Sequence, residues 1–250
     1  EALQASMRLA EELDTTWQIH LSETEEERQN AIKEFGCSPV EYLAKLGCLN
    51  ERTIAVHCVA LSDRDIELLA ESGASVVHCP VSNMRLGCGA SPVVKLLKAG
   101  INVALGTDGA ASACSLSMFE QMRTAGLIAK GFSQDPTELT VNQIIRMATI
   151  NGANALKLHC DAGSLAVGKL ADLAVIDMSQ LVTMPVLDVL SNVIYAVEAQ
   201  CVHQVWVSGS LVANIQQEKL LRPDRGKLLT KSNIMSWQNR VCEILRDDFN

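Results

Sequence analysis

No apolar run in this 250-residue chain approaches the roughly 20 residues that cross a bilayer, which excludes a membrane-spanning helix. Nor does a basic segment precede such a run, so nothing reads as a secretory leader. Positive charge is scarce. Against 29 Asp and Glu stand 21 Lys and Arg, a net charge of −8, and the clustered cations that hold a nucleic acid are missing. The nine Cys are odd in number and contain no Cys-x-x-Cys pair, which argues against a disulfide framework and against a structural zinc site. They read as free thiols, and a reducing cytoplasm is the expected location. Internal repeats and low-complexity linkers are absent too. What remains is 48 % hydrophobic, enough for one large core, or for one domain plus a small one.

Four short apolar runs carry the information. They are Trp17 to His20, Thr53 to His57, Ser75 to His78 and Asn102 to Asp108, and each ends in a residue able to bind a metal or move a proton. Runs this short and rich in Val and Ile fit buried strands, with helical patterns between them. In parallel β/α folds the reactive groups gather where strands end. Three His and one Asp placed alike on successive units would meet on one rim, the arrangement of a metal-dependent hydrolase.

The helical segments have readable ends. Glu1 to Leu13 shows an apolar face of Leu3, Met7, Ala10 and Leu13. The spacing of Ser22 and Glu25 predicts a capping box that opens a helix to about Glu34. Pro39 starts a helix to Leu46, Ser62 caps one that runs to Glu71 and stops at Gly73, and Pro92 starts one closed by Gly100. Further helices are expected over Ser117 to Ala129, from Thr140 to Thr149, and from Asn151 to Leu158. The segment from His78 to Gly89 reads as a polar loop suited to ligand contact, with Asn83 and Arg85 as candidate donors. Beyond Asp161 the pattern changes to turns, a strand through Leu173 to Asp177, and a hairpin about Ser208-Gly209. From Ser232 onward Trp237, Val241, Ile244 and Leu245 recur at helical spacing, a packing stripe.

Each candidate has a plainer reading. Glu23, close to a helix start, is favoured there by the helix dipole alone. A single buried His is more often a hydrogen-bonded core residue than a ligand, and a Gly-Thr-Asp-Gly segment can be only a turn. Cys58 and Cys79 follow His57 and His78 directly, yet strand alternation would turn them to the opposite face, where they pack. Register across His20, His57, His78 and Asp108 is what favours chemistry. His159 and His203 lie outside it. Four β/α units predict a parallel α/β sheet that is either half of an eightfold barrel or an open doubly wound sheet. Half a barrel leaves two open edges, which would favour a homo-oligomer.

The segments HLSETEEE, VHCVALSDRDIELLAESGASVVHCPVSNMRLGCG, NVALGTDGAAS and GSLAVGKLADLAVID, taken together and in this order, resemble the amidohydrolase superfamily. Within it the branch that deaminates S-adenosylhomocysteine and 5′-methylthioadenosine is the most similar. The resemblance implies a metal-dependent (β/α)8 TIM barrel with a small β-sandwich domain. It divides this chain into the C-terminal half of the barrel over 1–160, a portion of the β domain over 161–215, and a helical tail over 216–250. It implies metal ligation by His20 and Asp108, contact of Glu23 with a ring nitrogen and proton delivery to it, and orientation of the activated water by His57. Asp108 would also take that water's proton, and His78 and Asn83 would line the substrate site. The implied cofactor is one divalent metal, zinc first, with iron or manganese as alternatives. The substrate would be a small nucleoside, with neither a nucleic acid nor a membrane as partner.

One feature of that family is missing here: no His-x-His pair, the source of two further metal ligands, occurs anywhere in the chain. Two protein ligands are fewer than the three or more of an ordinary zinc site. The expectation is therefore a C-terminal portion of a longer enzyme, inactive by itself. Hydrolytic deamination of an adenosine-type thioether nucleoside by the complete protein is the leading function. Guanine, another aminopurine or a chlorotriazine is the alternative substrate, and a non-catalytic fragment that serves as a binding partner is the alternative of another class.

Overall fold

The computed structural model describes residues 1–214 and 219–220, so the expected tail from Ser232 lies outside the described residues. The chain divides into two compact units. One comprises Glu1–Ser164 with Leu187–Ala196, and the other comprises Leu165–Val186 with the described residues from Val197 on.

In the first unit the order is α1 (Ala2–Glu12), β1 (Trp17–Leu21), α2 (Glu25–Phe35), α3 (Pro39–Lys45), β2 (Thr53–His57), α4 (Asp63–Ser72), β3 (Ser75–His78), α5 (Pro80–Arg85) and α6 (Val93–Lys98). Then come β4 (Val103–Leu105), α7 (Ala110–Ala113), α8 (Met118–Ser133), α9 (Val141–Ala148) and α10 (Ile150–Ala155). All strand pairs in this unit are parallel, and the order β1-β2-β3-β4 follows the chain without reversal. A doubly wound sheet would contain a switch point where that order reverses. The sheet instead runs as a sector of a barrel does. All five residues of the inner strand β2 are buried, as expected of a parallel strand covered on both faces. At the edge strand β1, Gln18 and His20 are exposed.

Helices cover the sheet through one apolar core that includes Val40, Leu43, Leu69, Val76, Leu96, Val103, Ile144 and Met147. Capping follows the sequence at most ends. Ser62 caps α4 against Asp65, Thr140 caps α9 against Gln143, and Gly73 ends α4 in the left-handed region at φ 72°. Ser38 and Glu41 form a further capping box at α3. The buried Asp65 also accepts a hydrogen bond from the Ser38 hydroxyl, so one carboxylate serves the starts of two helices.

Two expectations are corrected. The helix after β1 is capped by Thr24, whose side chain accepts from Glu27 N, and not by Ser22 with Glu25. Glu27 turns back to accept from Ser22 N at 2.9 Å and Glu23 N at 2.7 Å, which moves the helix start two residues along. The segment after His78 is also not simply a loop. Pro80, at the first helical position, opens α5.

The second unit holds β5 (Leu173–Ile176), β6 (Val202–Val207), β7 (Ser210–Asn214) and β8 (Lys219–Leu220) in an antiparallel sheet of that order. Ser208 at φ 49° and Gly209 at φ 75° make the tight turn between β6 and β7. Helix α11 (Val189–Tyr195) follows β5 in the chain but belongs to the first unit, where Ile194 enters the core. Among the described residues no helix is long and apolar enough to cross a membrane.

Candidate metal centre

Strand ends bring the chemistry together. His20 is the fourth of the five residues in β1, His57 ends β2, and Asp108 follows β4 by three residues. One donor atom from each lies within 4.8 Å of the other two. The His20 and His57 rings meet edge to face, with centroids 4.6 Å apart. The loops that carry them are joined as well. Cys58 N donates to Leu21 O, and both Val59 N and Ala60 N donate to Ser22 O, so the β1–β2 ladder continues into the rim. Ser22, His57, Cys58 and Asp108 all have positive φ, at 50°, 75°, 50° and 59°. Non-glycine residues held there cost free energy that the surrounding structure must offset, and such positions cluster at functional sites.

His57 is fully buried. Its Nδ1 lies 2.8 Å from Asn83 Oδ1, while Nε2 has no hydrogen-bond partner and stands 3.8 Å from Glu23 Oε1. A buried polar nitrogen without a partner is costly unless something fills the place it faces. Two imidazoles, a carboxylate and one orphaned ring nitrogen fit a divalent metal.

Asp108 is held from three directions. Oδ2 accepts from Ser82 at 2.6 Å and from Ser112 at 2.7 Å, and Oδ1 accepts from Gly109 N at 2.7 Å. Burial pushes its carboxyl up, but these hydrogen bonds, with the nearby His57, outweigh it and hold the group at about 2. A carboxylate ionised this firmly suits a cation. The preceding Gly106 is required by packing, since a Cβ there would stand 2.7 Å from Val77 Cγ1. Glu23 Oε1 additionally accepts from Cys88 Sγ at 3.6 Å.

The structure thus places His20, Glu23, Asn83 and Asp108 around His57. His78 stands near enough to His57 for charges on the two rings to repel, but it is not one of the three residues whose donor atoms converge. That ring lines a separate cleft between α6 and α8, which none of the other five residues lines. Arg85 donates to the carbonyls of Ala111 and Ser112 and so ties α5 to α7. Cys58 packs in the core and its thiol is pushed up by burial. Burial, with the Asp108 charge next, pushes Cys79 up to about 12, as befits neutral packing thiols. Sequence reasoning missed Ser82, Ser112, Cys88 and Glu27. The i, i+4 spacing of Asp108 and Ser112 and the Thr24-x-x-Glu27 pattern were the local signals available; the contacts of Ser82 and Cys88 depend on long-range folding.

Comparison with known proteins agrees in direction. Residues 1–212 match the model of the amidohydrolase family. A 5-methylthioadenosine/S-adenosylhomocysteine deaminase of Acetivibrio thermocellus is 40% identical over 92% of this chain and 53% of its own length. One from Teredinibacter turnerae is 46% identical over 93% and 52%. A crystal structure of an adenosine deaminase from Xanthomonas campestris with bound zinc superposes with a TM-score of 0.88 at 38% identity, over 96% of this chain and 54% of that one. The chain spans about half the length of the curated relatives it matches.

Proposed function

The chain belongs to the amidohydrolase family, and from that footing we propose that it supplies part of the active centre of a metal-dependent deaminase. The whole protein would convert an adenosine-type thioether nucleoside, S-adenosylhomocysteine or 5′-methylthioadenosine, and water into the corresponding inosine and ammonia. The observation that carries this reading is the convergence of His20, His57 and Asp108 within 4.8 Å, with the unpartnered His57 Nε2 facing the Glu23 carboxylate. The names of the relatives at 40% and 46% identity support the choice of substrate.

His20 and Asp108 would hold the metal, with zinc preferred because the similar adenosine deaminase binds it. Bound there, such an ion supplies Lewis acidity that brings the pKa of water near neutrality. His57, with Nδ1 committed to Asn83, presents Nε2 to orient the attacking water. Glu23 would hydrogen-bond a purine ring nitrogen and deliver a proton to it as the adjacent carbon is attacked. Asp108 would take the water's proton only transiently, because its hydrogen bonds favour the ionised form. Transfer of that proton to the departing amine breaks the C–N bond and releases ammonia, while the second proton of the added water leaves the new hydroxyl for Glu23, which restores the proton given to the ring. His78, on a different cleft, is given no part.

The test is ammonia release by the whole protein, offered the two thioether nucleosides beside guanine and a chlorotriazine. Turnover of a thioether nucleoside, lowered about 10²–10⁴-fold by Glu23→Gln, is expected. Failure to turn over either nucleoside would defeat the assignment.

A further inference from the structure

Glu27 is used differently from its counterparts in other capped helices. In α3, α4 and α9 the side chain of the third helical residue returns to the N–H of the residue that caps the helix. In α2 it passes over the capping Thr24. Glu27 Oε1 accepts from Ser22 N at 2.9 Å, and Oε2 accepts from Glu23 N at 2.7 Å. Hydrogen bonds to a carboxylate are about twice as strong as neutral ones. Ser22 needs that support. It is fully buried and left-handed at φ 50°, a conformation that costs a non-glycine residue free energy. Val59 N and Ala60 N hold its carbonyl, so with Glu27 both polar groups of its backbone are fixed.

That turn carries Glu23. At the far end of the Glu23 side chain the hold is weak: Cys88 Sγ, a poor donor, lies 3.6 Å from Oε1, the oxygen that also stands 3.8 Å from His57 Nε2. The aim of the carboxylate therefore falls to the backbone from which it springs. We propose that Glu27 is a positioning residue for Glu23: by bridging the N–H groups of Ser22 and Glu23 it fixes the turn that directs the Glu23 carboxylate at the substrate ring. The inference rests on the proton-delivering role proposed for Glu23, and Glu27 acts through that residue. Misplacing a reacting group by about 1 Å can cost about 10²-fold in rate, so the loss of Glu27 falls on kcat. The plainer role of an acidic residue here is to favour the helix start through its dipole. Glu27→Asp separates the two. Asp65, at the same place in α4, takes the N–H of its own cap residue Ser62, so the shorter side chain keeps the helix start acidic and capped but gives up the bridge.

The experiment is a double-mutant cycle on the whole protein, with Glu23→Gln and Glu27→Asp made singly and together. Kinetics use whichever of the four compounds above the parent turns over, so a wrong choice of substrate leaves the test intact. Activity of the parent and its loss in Glu23→Gln judge the deaminase reading separately. Glu27→Asp is expected to lower kcat about 10–100-fold while KM stays within about three-fold. In the Glu23→Gln background the same change should cost less than about two-fold, because the group it positions is gone. A second readout needs no turnover. Hydrogen exchange at the Ser22 and Glu23 amides, followed by mass spectrometry, should quicken about ten-fold or more in Glu27→Asp. Unchanged kcat, equal losses in both backgrounds, or unchanged exchange at these two amides would each overturn the proposal. Should the parent turn over none of the compounds, exchange decides alone. Should Glu27→Asp not fold, Glu27→Gln takes its place, since an amide offers one acceptor oxygen where the carboxylate offers two.

Discussion

Asn83 Oδ1 sits 2.8 Å from His57 Nδ1, and both residues are fully buried. A carboxamide oxygen only accepts, so Nδ1 donates in this bond and Nε2 is left to face Glu23. One hydrogen bond thus fixes which ring nitrogen faces Glu23. Removing it with Asn83→Ala frees the ring to change tautomer and orientation. The expected result is a fall in kcat of the whole protein of about 10–100-fold with metal content unchanged, read by steady-state kinetics beside elemental analysis.

Ser82 and Ser112 hold Asp108 from two sides, and the consequence is visible at low pH. The Asp108 carboxyl lies at about 2 in the folded chain against an ordinary 3.8. A carboxyl depressed by folding contributes stability that is full above its unfolded value and lost as pH falls through its folded value. In the metal-free chain that loss should run from about pH 4 to about pH 2. Ser82→Ala with Ser112→Ala leaves only Gly109 N as donor, so the folded value rises and the window narrows. Urea unfolding across this range should show a shallower pH dependence in the double variant than in the parent.

Gly106 tests the close approach of β4 to β3. A methyl group there would lie 2.7 Å from Val77 Cγ1 and 3.3 Å from Cys79 Sγ, both on or beside a buried strand. Gly106→Ala should therefore lower stability by about 1–3 kcal/mol, seen as a lower urea midpoint with an unchanged slope.

Much of this was legible in the chain because short buried strands have a strong signature. The runs ending at His20, His57 and Asp108 fixed both the parallel sheet and the rim. Capping signals were less secure. Ser22-x-x-Glu25 and Thr24-x-x-Glu27 both satisfy the same pattern, and the choice fell to Thr24 because Glu27 also satisfies the backbone N–H groups of Ser22 and Glu23. His78 shows the limit of register as a guide. It ends its strand as His57 does, but only His57 takes a left-handed backbone, and His78 instead lines the cleft between α6 and α8. Contacts that span many residues left no local trace, as with Ser82 on Asp108 or α11 returning to the first unit.

The most direct measurement is anomalous diffraction from crystals of the whole protein loaded with zinc. A single strong peak within bonding distance of the His20 imidazole and the Asp108 carboxylate, lost in His20→Ala, is expected. Zinc held by cysteines or other groups, with His20 and Asp108 directed away from each other, would contradict a shared cation pocket at the ends of β1 and β4.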